Sequence, residues 1–147
     1  MYRNVPNSFS AEKMSDTQNH FSQAVHNETL AASLLSKLTY KDWLITVSFY
    51  SALHYVEAKL ASRTPPIHPA SDVPKDPKTG RPRCSPHIYR DQLVELHYNK
   101  IFGDYRFLRV KSEESRYQCF KNSFSDKLAK DCFQRHLKNI KDYFGLS

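Results

Sequence analysis

The stretch His87-Ile88-Tyr89-Arg90-Asp91-Gln92-Leu93-Val94-Glu95-Leu96-His97 gathers the residue types best suited to chemistry on a phosphate. On a helix, His87, Arg90, Val94 and His97 return to similar azimuths, which makes a basic stripe carrying two imidazoles. Arginine supplies a fixed charge and a bidentate fork, and histidine can move a proton near neutral pH. Those tools suffice for metal-independent RNA cleavage. A base removes the 2′-hydroxyl proton, the oxygen attacks phosphorus, and arginine stabilises the developing charge. In this reading Arg90 binds the phosphate and His97 transfers the proton. The plain alternative is a solvated helix face on which Arg90 and His97 pair with Asp91 or Glu95.

A second group lies in Ser48-Phe49-Tyr50-Ser51-Ala52-Leu53-His54-Tyr55-Val56-Glu57. His54 has Tyr50 one turn before it and Glu57 three residues after, and its apolar stripe favours a hydrogen-bonded core histidine over a catalyst. Arg116-Tyr117 can contact a phosphate or simply pack and snorkel. Metal chemistry finds no support, because neither Glu-x-x-His nor His-Glu-x-x-His occurs and His20 and His26 cannot ligate from one helix face. The isolated glycines Gly80, Gly103 and Gly145 rule out a phosphate-cradling loop, so no cofactor is expected. Cys132 and His136, one helical turn apart, read as core packing rather than a nucleophile and its base.

The elements that must position these groups follow from periodicity. Residues 1–15 are polar, contain Pro6 and lack an apolar period, which predicts a flexible tail with Met14 as an alternative start. From Asp16 to Leu38 the apolar spacing predicts a first helix, with Ser15 or Asp16 as its cap. Trp43 to Leu60 forms a second helix with two apolar stripes, one of Trp43, Val47, Tyr50 and His54. Such a helix sits at the centre of a bundle or packs against a second copy, so a homodimer is expected. Thr64 to Pro86 holds seven of the eight prolines together with Lys75, Lys78, Arg81 and Arg83, which predicts a long, exposed, disordered basic loop. Ser85-Pro86 starts a third helix that runs from His87 to Gly103. Asp104 to Arg109 extends it after a kink or forms a separate turn, and Glu113 to Phe120 adds a short piece. A last helix spans Ser125 to Phe144 with Ala129, Phe133, Leu137, Ile140 and Phe144 on one face and Gly145 as its stop.

The composition agrees with four principal helices in one domain, residues 16–147. Only 3 Gly accompany 39% hydrophobic and 13% aromatic residues, which disfavours a turn-rich β design. Three scattered cysteines suggest no disulfide framework, and a reducing cytoplasm is the default. Neither a run of about 18 apolar residues nor a secretory signal pattern is present, so membrane spanning and export are not expected. With 22 Lys and Arg against 15 Asp and Glu, the net charge is +7 and the pI about 9.3. That balance favours phosphate-bearing partners, although it also serves plain solubility.

Taken together, Ser48 to Ala58, the proline-rich loop, the His87-x-x-Arg90 opening of helix three and Ser112-Glu113-Glu114-Ser115-Arg116-Tyr117 resemble the HEPN superfamily. The resemblance runs from about His20 to Phe144. It implies an all-α, four-helix up-and-down bundle that commonly dimerises, many of whose members are ribonucleases. The nuclease signature of that family is an Arg, often followed by Asn, Asp or His, and then a His after four to six residues; Arg90-Asp91 with His97 fits at its upper limit, and Arg81 with His87 fits within the loop. Arg90, Asp91 and His97 are therefore the candidate catalytic residues, and His87, Arg83, Arg116, His54 and Tyr50 are the candidate RNA or phosphate ligands. The expected function is RNA binding by a HEPN-like homodimer, with metal-independent cleavage as one form of it. The alternative is a non-catalytic module that binds a nucleotide or a partner protein, one encoded nearby included.

Overall fold

A computed structural model of the chain describes residues 8–118 and 123–146. The protein is all-α: among these residues there is no strand, only an isolated bridge between Lys75 and Pro82. Its elements are α1 (Ser8–Leu35), α2 (Lys41–Ala61), the single turn α3 (Pro69–Asp72), α4 (Pro86–His97) and α5 (Asn99–Tyr117). They are followed by α6 (Asp126–Asp131), a π-helical segment (Cys132–Leu137) and α7 (Lys138–Tyr143), which run on as one rod. No helix among the described residues is long and apolar enough to cross a membrane.

The rod α2 lies at the centre because it is apolar nearly all round. Leu44, Ile45, Phe49, Ala52, Val56 and Leu60 are completely inaccessible to solvent, and each large side chain among them contributes about 1.5–3 kcal/mol by leaving water. Small residues let its neighbours approach closely. Ser51 Oγ donates to the Ala24 carbonyl of α1 at 2.8 Å, and Thr46 Oγ1 meets Ser115 Oγ of α5 at 2.9 Å. Of the two settings expected for this helix, the centre of a bundle or a seam with a second copy, the first is the one found within the chain.

Several boundaries differ from those read in the sequence. The first helix begins at Ser8, upstream of Asp16, while residues 1–7 of the expected tail lie outside the described residues. The third helix breaks at Tyr98 (φ −136°, ψ 44°), not at Gly103, which falls inside α5. The Tyr98 ring is buried edge-on against Tyr143 and Phe144, and this tertiary anchor turns the chain where no proline or glycine would. Beyond the corner, Asp104 to Arg109 and Glu113 onward form one continuous helix rather than separate pieces. Phe120, the expected end of the second piece, lies outside the described residues.

The proline-rich segment is long, as expected, yet it is built. Asp76 and Gly80 close a tight turn: the Gly80 amide donates to the Asp76 carbonyl at 2.8 Å, and Gly80 adopts φ +68°. The Asp76 carboxylate accepts from the amides of Lys78 and Thr79, which holds its pKa below the ordinary range. Asp76 N to Arg81 O and Arg83 N to Pro74 O complete a small hairpin. Lys75, Lys78, Arg81 and Arg83 all stand exposed on it.

The last rod carries a register change. Ala129, Cys132, Leu137 and Ile140 face the core, and the five-residue step from Cys132 to Leu137 is the π segment. A wider turn of this kind puts residues five apart on one face. Phe133, expected in the core stripe, is consequently only half-buried. Ser125 caps the start through the Leu128 amide at 3.1 Å. Gly145 (φ +69°) ends it, with Leu146 N donating to Lys141 O at 2.9 Å.

Candidate functional site

Spacing along α2 places Tyr50, His54 and Glu57 on one face, and this face looks toward α1 and α4. His54 Nδ1 meets His20 Nδ1 of α1 at 3.0 Å, so one ring donates and the other accepts. Burial, followed by electrostatic repulsion from the neighbouring His20 and Arg90, pushes the His54 pKa down to about 4. His54 is therefore neutral at physiological pH.

Next to it, Glu57 Oε1 accepts two bonds from Arg90, from Nε at 2.7 Å and Nη2 at 2.6 Å. Both side chains are 7% exposed. Glu57 Oε2 lies 4.0 Å from His20 Nε2. The remaining Arg90 terminus, Nη1, sits 3.3 Å from His87 Nδ1. Arg90 has only hydrogens to offer, so His87 Nδ1 accepts and the ring is neutral, its proton on Nε2. Burial first, and then Arg90 and Arg116, lower the His87 pKa in agreement with that tautomer. Tyr105 is fully buried, and its hydroxyl has no hydrogen-bond partner among the described residues.

The other half of the face is made by α5. Arg116 Nη1 donates to Tyr50 Oη at 3.1 Å, and its guanidinium lies over the Tyr50 ring at 5.5 Å and the Tyr117 ring at 5.1 Å. Nε donates to the Ser112 carbonyl at 3.3 Å. The charge of Arg90 is balanced by Glu57, whereas the hydrogen bonds of Arg116 go to neutral oxygens and its guanidinium lies against aromatic faces. Among the described residues it makes no ion pair, and it ends a seam that runs His20, His54, Glu57, Arg90, His87, Arg116, Tyr50.

Five expected residues, His54, Tyr50, His87, Arg90 and Arg116, thus come together. The other three stand apart. Asp91 is held by Arg109, whose Nε reaches Oδ1 at 3.0 Å and Oδ2 at 2.8 Å, so it ties α4 to α5. His97 lies two turns beyond Arg90, about 10 Å along the axis, beside Tyr98 and within reach of the Arg63 charge. Arg83 is on the hairpin, four residues before His87. Sequence reading weighed His20 only as a metal ligand and named Glu57 only as a neighbour of His54, three residues on. The i, i+4, i+7 spacing of Tyr50, His54 and Glu57 was the available signal.

Among the described residues, no group of three or more His, Cys, Asp or Glu side chains could hold a metal ion. Cys132 is buried, which pushes its thiol up to about 12, so it stays protonated. Its neighbour His136 is bound instead to Asp104 at 2.7 Å and stacked on Phe107. A cavity of about 450 Å³ between α1 and the last rod, lined by Glu28, Phe133, Leu137 and Lys141, contains none of the seam residues. Compared with known proteins, the chain matches no family model, no curated protein and no solved structure.

Proposed function

We propose that this protein is an RNA-binding module of the HEPN kind, with the phosphodiester seated on the seam at Arg116 and His87. The observation that carries the reading is Arg116, a guanidinium that makes no ion pair among the described residues and is held against two tyrosine rings, on the same seam as His87. A positioned fork with a neighbouring donor is what a phosphate needs. Aromatic faces beside it suit unpaired bases, which directs the proposal to single-stranded RNA. The +7 charge and the basic hairpin ending near His87 supply the long-range attraction.

In this proposal α1, α2, α5 and the 126–143 rod are the four members of an up-and-down bundle, with α4 leading into the third. Homodimerisation, cytoplasmic residence and a partner protein belong to the same proposal. Exposed Val25 and Leu30 on α1 support pairing, and the free thiols of Cys84 and Cys132 support a reducing compartment. Light scattering tests the dimer.

Binding is favoured over cleavage because Arg90 and Asp91 of the signature are engaged inside the protein. If cleavage occurs, Arg116 is the phosphate ligand and His87 becomes the base only once its Nδ1 lets go of Arg90 and the ring proton moves there from Nε2, with His97 too distant to share the step with Arg90. The test uses fluorescence anisotropy with a labelled single-stranded RNA, followed by incubation of the same RNA in EDTA. Arg116→Ala is expected to weaken binding roughly tenfold. Wild-type affinity in that variant, with the fold intact, would end the proposal. Products with 2′,3′-cyclic ends, lost in His87→Ala, would establish the nuclease form.

A further inference from the structure

Arg116 also lines a smaller pocket that Tyr50 does not line. This open pocket of about 180 Å³ is lined by Asp42, Trp43, Thr46, Ser115 and Arg116. Drug-sized ligands occupy about 300 Å³ or more, so this space suits a single planar ring system. The Thr46 and Ser115 hydroxyls carry one proton each and share them between one another and the Asp42 and Ser112 carbonyls, so neither has a proton left for a ligand. The wall is Trp43, which is 57% exposed although it is large and apolar.

The remaining polar group is the Asp42 carboxylate. Among the described residues it has neither hydrogen bond nor ion pair, and its neighbour Lys41 is committed to Asp126 at 3.1 Å. Two carboxylate oxygens side by side accept two parallel donors. Of the four RNA bases, guanine alone presents adjacent donors on one edge, N1–H and the N2 amino group. Adenine would set its N1 lone pair against the carboxylate. An indole face supplies the stacking surface that flat bases seek, and Arg116 can hold the phosphate of the same nucleotide.

We infer that the Asp42–Trp43–Arg116 pocket is a nucleobase site that selects guanine. The inference deepens the RNA-binding reading and rests on it, since Arg116 is shared between the phosphate seat and the base pocket. A guanosine unit would place its base on Trp43 and its phosphate toward His87.

Trp43 is the only tryptophan in the chain, so its fluorescence reports directly on stacking. The purified full-length protein is titrated with GMP, AMP, CMP, UMP, inosine monophosphate and inorganic phosphate. GMP is expected to quench Trp43 saturably and to bind roughly tenfold more tightly than AMP. Inosine monophosphate, which lacks the N2 amino group, should fall behind GMP by a similar factor without any change to the protein. Asp42→Asn should erase the preference for GMP while leaving the thermal melt in place. Equal quenching by all nucleotides, or quenching by phosphate alone, overturns the inference. Oligo(A) and oligo(G) anisotropy run in parallel separates the two claims: salt-sensitive RNA binding without saturable GMP quenching removes only the pocket, and no binding in either assay removes both.

Discussion

Arg90 and Glu57 meet through one oxygen, with Nε and Nη2 of the guanidinium converging on Oε1 inside the protein. The contact joins α4 to the central helix, and it directs the third arginine nitrogen at His87. Arg90 is therefore a positioning residue. It fixes the tautomer and location of an imidazole that faces the proposed phosphate seat.

Breaking that pair by one partner leaves a charge stranded away from water. Glu57→Gln or Arg90→Met should each cost about 3–5 kcal/mol, whereas the double change should cost less than their sum. Urea denaturation of the three variants against wild type measures this. Additive losses would mean that the two side chains do not act as a unit.

His54 makes stability depend on pH in a defined direction. Its folded pKa of about 4 lies below the ordinary 6.5, so the unfolded chain takes up the proton more readily. Its contribution is fully present above about pH 6.5 and is lost as pH falls toward 4. After allowance for its partial exposure, the loss is about 1–2 kcal/mol. Urea midpoints at pH 7 and pH 4.5 should converge for wild type and His54→Gln as the solution is acidified; a constant gap would remove this account.

The two described thiols should behave oppositely. Cys84 is partly exposed, while Cys132 is buried with its pKa raised. Alkylation at pH 8 followed by peptide mass mapping is expected to label Cys84 in the native protein and Cys132 only after denaturant is added.

The hairpin should act as an electrostatic arm. Replacing Lys78, Arg81 and Arg83 together by Gln removes up to three phosphate contacts, and the log–log salt slope of RNA affinity should then flatten by about 2. Affinity measured from low to moderate salt gives the slope directly. An unchanged slope would show that the arm stays clear of the RNA.

The parts of the fold legible in the sequence were those set by local chemistry. Ser85-Pro86, Ser125 and Gly145 mark helix ends because capping is decided within a turn, and the apolar runs of α2 announced a buried rod. The break at Tyr98 was hidden, since it depends on rings from the far end of the chain. Asp76 to Gly80 did carry turn chemistry, but the surrounding prolines masked it as a featureless loop. At the site, the nearness of His87 to Arg90 follows from helical spacing. The inward aim of Arg90 does not, because Glu57 lies 33 residues earlier.

The wide turn from Cys132 to Leu137 means that the C-terminal rod holds a surplus residue relative to a regular ladder. Deleting one residue there would restore the ordinary pitch and swing everything downstream about 100° around the axis. Ile140 would leave the interior, and Phe144 would part from Tyr98. The corner between α4 and α5 is thus secured by an irregularity some forty residues further along, and a shorter, more ideal C-terminal helix would unfasten it.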